Sequence, residues 1–277
     1  MKNYLKLTNF EFNRFSKIFG ALLGITIISQ LVGIIMKSRE YTGEIQRLMY
    51  EERLSQSAAL EQMGSFSMLN VVRGLFFNGP IALCIATLLL YMFFIWYRDW
   101  LGKNTFIYRL LMLPVDRITL FFSKLTVVFA SVLGLVTTQL LMLAAGSQLI
   151  KWLVPSAYRL DLSIKAITSA SNFLIVLVPS SLINFFNTYG IGLVFLMVMF
   201  TAVLMERSFR IPGLILGIVY SVVCGYIFIL PLMLPVYLRR EIFYPSESYL
   251  LMVGIGILIG SLSIFISRYL LNKKVTV

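Results

Sequence analysis

The chain has 277 residues, 59% of them hydrophobic and 13% charged, and carries a net charge of +12. A soluble core of this length has no room for that much apolar surface, because single cores stop growing near this size, so lipid must act as solvent for part of the chain. The basic residues are scattered between apolar runs, which excludes a nucleic-acid-binding stripe. The lack of any histidine excludes His-dependent metal sites and His-based triads.

Residues 1–17 carry Lys2, Lys6, Asn9, Asn13 and Lys17 at intervals of three to four, with Leu5, Phe12 and Phe15 mostly opposite. A basic face backed by aromatic and aliphatic residues predicts an interfacial amphipathic helix. It either anchors the first span or acts as an elbow that touches a cytoplasmic partner.

Six runs are long enough to cross a hydrocarbon core of about 30 Å at about 1.5 Å per residue. They lie near 18–36, 75–97, 120–147, 184–205, 211–235 and 249–267. The first ends in Ile34-Ile35-Met36-Lys37 without the small residues that a signal peptidase needs, so it is expected to stay as a span. Cys84 and Cys224 fall in separate apolar runs and form no redox or metal motif.

The segment 37–74 alternates acids with arginines while Tyr41, Ile45, Leu48 and Met49 keep helical spacing, which predicts a helical outer loop. The segment 98–117 contains a short helix at 104–113, with Asn104 as N-cap and Pro114 as the stop. The stretch Phe173–Ile183 contains Pro179 and is too short to span, so it is read as interfacial or re-entrant. Short loops rich in Lys and Arg, around Arg98–Lys124 and Arg207–Arg210, put both ends of the chain inside. The fold class expected is therefore all-α and integral to the membrane, with six spans.

Catalytic motifs are missing. Gly102-Lys103 lacks the rest of a phosphate loop, and the spans carry no Asp or Glu in their middles. Gly254, Gly256 and Gly260 lie inside an apolar run, where Gly256 and Gly260 form a GxxxG step for helix packing. Uncharged polar groups in the spans must find partners on other helices or line a wet path. Asn78, Thr87, Tyr220 and Tyr226, with the cluster Asn184-Phe185-Phe186-Asn187, are the candidates for a substrate path.

The run Arg109-Leu110-Leu111-Met112-Leu113-Pro114-Val115-Asp116-Arg117, then Phe122-Ser123-Lys124-Leu125, resembles a pattern of ABC-2 type transporter permeases. Met205-Glu206-Arg207-Ser208 is similar to the inner end of their fourth span, and the whole chain follows their order of elements. The resemblance implies a permease that pairs with a second permease and docks a separate ATPase subunit. That subunit would bind ATP and Mg, and this chain would bind no cofactor or metal. It also implies that 104–113 is the coupling helix. Asn104, Phe106, Ile107, Tyr108, Arg109 and Leu110 would contact the ATPase, supported by Glu11 and Arg14. The implied setting is the cell membrane. The expected cargo is amphiphilic, foremost an amphipathic antimicrobial or cytolytic peptide, with a drug or a lipid as the alternative within the family. A non-transporting sensor subunit, or a carrier working without ATP, is the alternative outside it.

Overall fold

The computed structural model describes residues 2–51, 53, 55–100, 116–171, 173–238 and 244–274. Among them the regular elements are helical, and the strand-like pairing is an isolated bridge between Phe66 and Arg159. Six helices are long and apolar enough to cross a membrane, so the chain has the make-up of a multi-pass membrane protein.

Helix α1 (Lys2–Tyr50) has 49 residues, or roughly 74 Å at 1.5 Å per residue. That is more than twice the hydrocarbon thickness of about 30 Å. The first proline of the chain is Pro80, so nothing in this stretch removes a backbone donor. The interfacial helix expected at 1–17, the first span and the start of the 37–74 segment are consequently one unbroken helix. Next come α2 (Gln56–Met63), α3 (Met68–Val72) and α4 (Leu75–Trp100). Then α5 (Ile118–Leu153), a 3-10 turn (Ser156–Tyr158), α6 (Ile164–Ser169) and α7 (Leu174–Leu177) follow. The chain closes with α8 (Leu182–Phe209), α9 (Ile211–Leu238) and α10 (Pro245–Lys273).

The chain divides into two compact units. One comprises residues 15–87 and 131–184. Its polar interior answers a defect in α4. Pro80 has no N–H, which leaves the carbonyl of Phe76 without its helical donor. The Ser29 hydroxyl donates to that carbonyl at 2.9 Å. One turn position on, the Gln30 amide donates to Gln139 Oε1 at 2.7 Å and reaches the Phe77 carbonyl at 3.4 Å. In lipid such carbonyls have no water to turn to, so side chains of α1 are the means of satisfying them.

The same unit holds an apolar core that joins the end of α1 to the stretch around α3 and to the end of α5 and the segment after it. Tyr41, Ile45, Phe66, Met68, Val72, Ile150, Val154, Ile167 and Leu174 are among its buried members. Through these residues the described part of the 37–74 segment packs on that of 150–174. Ser55 caps α2 through Ala58 N–H, and Gly64, at φ +71, ends it in a conformation suited to glycine. The Tyr41 hydroxyl lies 2.8 Å from the Gly64 carbonyl and 3.1 Å from that of Tyr158. Tyr41→Phe is therefore expected to cost about 1 kcal/mol. Hydrogen exchange should rise locally at 56–72, and unchanged protection there would count against the hydroxyl as the tie. The 173–183 stretch makes one helical turn, α7, with Leu174 buried and Phe173, Ile175 and Val176 exposed, and enters α8 at Leu182.

The second unit comprises residues 1–14, 88–130 and 185–277. Within it α8 and α9 are joined by Arg210 alone, held at φ +59, with its N–H on the Glu206 carbonyl at 2.8 Å. Pro212 in the first turn of α9 is well placed, because its missing donor would have had no helical partner there. Thr201 on α8 meets Ser267 Oγ of α10 at 2.9 Å, and Tyr220 of α9 meets Ser263 Oγ at 2.7 Å. These hydroxyls tie the three helices together, as polar groups in lipid must.

Candidate functional site

The charged residues of the second unit converge instead of facing solvent singly. Glu11 and Arg14 are three apart on α1 and therefore share a face. Arg98 and Asp99 occupy the last turn of α4, and Lys124 the second turn of α5. Glu11, Asp99 and Lys124 are at most 1% exposed.

Each of the four carboxylate oxygens holds a cationic nitrogen. Glu11 Oε1 accepts from Lys124 Nζ at 2.8 Å, and Glu11 Oε2 from Arg98 Nη2 at 2.7 Å. Asp99 Oδ2 accepts from Lys124 Nζ at 2.5 Å, and Asp99 Oδ1 from Arg14 Nη1 at 2.8 Å. The third ammonium donor of Lys124 goes to the Ile95 carbonyl at 3.0 Å. Its charge also lies 5.3 Å from the Trp96 ring centre. Trp96 and Phe121 each meet Phe200 edge to face, at 5.6 and 5.8 Å. Lys124 is thus the hub, with three donors and three acceptors. A buried set of charges is tolerable only when each charge is paired, as these are, although the Arg98 Nε–H is left without an acceptor among the described residues.

Further contacts extend this end of the unit. The Tyr97 hydroxyl donates to Glu206 of α8, and Arg207 stacks over the Tyr97 and Trp100 rings at 4.3 and 5.6 Å. Arg117 donates to the Leu271 carbonyl at 2.8 Å, filling an acceptor that the last turn of α10 leaves open. Lys274 lies over Phe209. The start of α1, the end of α4, the start of α5, the α8–α9 joint and the end of α10 therefore meet at one end of this unit. The cluster offers no reactive group, since every charge in it is engaged. What it does is fasten. Arg98 and Asp99 stand just before segment 101–115 and Lys124 soon after it, so both stems of that segment are bound to α1.

Glu11 and Arg14, expected at a partner contact, lie in this cluster, and the Glu11 carboxylate is committed to the interior. Asn104, Phe106, Ile107, Tyr108, Arg109 and Leu110, with the expected helix 104–113, lie outside the described residues. Lys124, Asp99 and Arg98 carry the arrangement and were missed as site residues. The sign that could have found them is a lysine inside an apolar run, which needs an acid on a neighbouring helix.

The expected path residues fall in both units. Asn78, Thr87 and Asn184 belong to the first unit, and the Asn78 amide donates to the Val72 carbonyl at 2.9 Å. Phe185, Phe186, Asn187, Tyr220 and Tyr226 belong to the second. There Phe186 and Asn187 line a cleft, Tyr220 is the tie to Ser263, and Tyr226 is exposed. The glycine steps differ in how closely they are approached. A Cβ at Gly256 or Gly260 would meet only ordinary contacts, 3.5 Å to Phe228 and 3.6 Å to Met197. The tight step is Gly213 and Gly217 on α9. A Cβ at Gly217 would lie 2.8 Å from the Ala202 carbonyl oxygen, and one at Gly213 would run into the Met205 carbonyl. Among the described residues no three Cys, Asp or Glu side chains converge as a metal-binding set.

No known family model matches the chain, and no curated protein or solved structure matches it either.

Proposed function

We propose that this chain is the permease subunit of an ATP-driven exporter of the ABC-2 type, seated in the cell membrane as one half of a permease pair. A separate ATPase subunit, carrying ATP and Mg, drives it. The observation that carries the reading is the buried charge cluster. In such a machine segment 101–115 is the handle on which the ATPase pulls, and a handle transmits force only if its base is stiff. Here Glu11 and Arg14 bind both stems of that segment, through Arg98, Asp99 and Lys124. The positive residues at the same end, Arg117, Arg207, Arg210, Lys273 and Lys274 among them, favour a cytoplasmic placing of it. ATP on the partner does work only by favouring one arrangement of the pair over the other, and a stiff base is a route by which that preference can reach the helices. The cargo is an amphiphile, foremost an amphipathic peptide.

The test is purification in detergent with neighbouring genes co-expressed. Recovery of an ATPase subunit bearing a phosphate-binding loop, in equal amount, is the expected result. Phe106→Asp with Leu110→Asp should release it while the helical content of the permease stays the same. If no ATPase is recovered in any pairing, the reading fails. That outcome would favour a non-transporting sensor subunit, a role to which the packed core at 37–74 and 150–174 is suited.

A further inference from the structure

A cleft of about 410 Å³ opens in the second unit between α8 and α10, with Phe228 of α9 at its back. Its lining runs from Phe186 to Met197 on α8 and from Tyr249 to Ile264 on α10. Those runs measure roughly 17 and 23 Å at about 1.5 Å per residue. Set against a hydrocarbon thickness of about 30 Å, the cleft reaches from one face to beyond the middle. Helices α8 and α10 both start at its mouth and both end at the charged cluster, so its mouth lies in the leaflet away from that cluster.

Three glycines line the cleft, and one of them faces open space. A Cβ at Gly190 would find nothing within 4 Å, and Gly256 and Gly260 face it from α10. Its polar side chains are Asn187 and Tyr249 at the mouth and Ser261 deeper in. The Ser261 hydroxyl is turned back on the Ile257 carbonyl at 2.8 Å, so the depth of the cleft presents an apolar surface. The mouth alone is polar.

The lining decides what fits. Its depth is apolar and its mouth carries an amide and a phenol. One polymethylene chain suits that lining, with its ester group at the level of Asn187 and Tyr249.

We infer that this cleft holds one acyl chain of a phospholipid from the leaflet opposite the charged cluster, with the ester region against Asn187 and Tyr249. The site goes beyond the transport reading and does not depend on it, since the cleft would be filled whether or not an ATPase drives the chain.

The full chain purified in detergent, given trace phosphatidylcholine with a photoactivatable diazirine on one acyl chain, tests this. Irradiation should label α8 between Gly190 and Met197 and α10 between Met252 and Ile264, and unlabelled phosphatidylcholine should compete the label away. Gly190→Leu should lower labelling there by about tenfold or more, because tenfold equals the burial of about two methylenes and leucine takes the room of more. Val253→Trp, at a half-exposed position, is the second blocking variant and should read the same way. Label spread evenly onto exposed α9 positions such as Ile215 and Val222 would overturn the proposal. So would labelling that unlabelled lipid does not compete, or labelling unchanged in both variants when they remain helical and monodisperse.

Discussion

Lys124→Met is expected to destabilise the protein by roughly 3–5 kcal/mol, the usual cost of removing one partner from a buried ion pair. Methionine keeps the length and apolar bulk of lysine, so the loss isolates the ammonium group. Glu11 Oε1, Asp99 Oδ2 and the Ile95 carbonyl each lose a donor at a site that is fully buried. Arg14→Ala removes a cation from the same cluster, but its side chain is a quarter exposed and water can replace it. That variant should cost less than Lys124→Met, about 1–3 kcal/mol, because the buried Asp99 Oδ1 loses its donor while the rest of the cluster stays paired. Unfolding in mixed micelles, followed by loss of helicity, ranks the two. Equal losses would mean that Lys124 is not the hub.

Gly213→Ala should be as severe, at or above the top of the ~1–3 kcal/mol range typical of overpacking. The added methyl would meet the Met205 carbonyl group and the Glu206 Cα at 2.9 Å, and these are backbone atoms that cannot rotate away. The α8–α9 joint offers no slack to absorb the shift, because Arg210 alone connects the helices. Gly217→Ala should cost less, since its nearest backbone oxygen lies at 2.8 Å and the joint is a turn farther off. Gly192→Ala and Gly225→Ala meet nothing within 4 Å. They should leave stability unchanged or gain up to about 1 kcal/mol from a better helix former. The measurement is the same unfolding series. A Gly213→Ala protein as stable as these controls would show that the close approach does not hold the joint together.

The six spans could be read from the sequence because hydropathy over about 20 residues is a strong signal set by membrane thickness. Helix ends were less legible. Polar ends such as Glu40–Tyr50 of α1 and Lys17 before it weaken a hydropathy reading, whereas backbone hydrogen bonding runs through them unchanged. The placing of the polar residues was mostly illegible. Asn187 lines a cleft and Tyr220 ties two helices together, although both are uncharged polar residues in apolar runs. The difference lies in which face meets which neighbour, and spacing along one helix does not carry that. Gly213-Leu214-Ile215-Leu216-Gly217 and Gly256-Ile257-Leu258-Ile259-Gly260 are the same motif by pattern. Only the first is pressed against a backbone, because it follows a one-residue turn that forces its helix onto the one before. Lys124 was counted as a loop charge because its acids come from positions 11 and 99, far apart in the chain.

The one-residue joint at Arg210 also decides how this part of the molecule can move. Helices α8 and α9 are shut together at that end by the Gly213 and Gly217 contacts, like tongs at their pivot. Any widening between them must therefore grow with distance from Arg210. The tips are the Asn187 end of α8 and the Phe228 side of α9, where the packing already leaves open space. A motion begun at the charged end would reach those tips enlarged, by leverage alone.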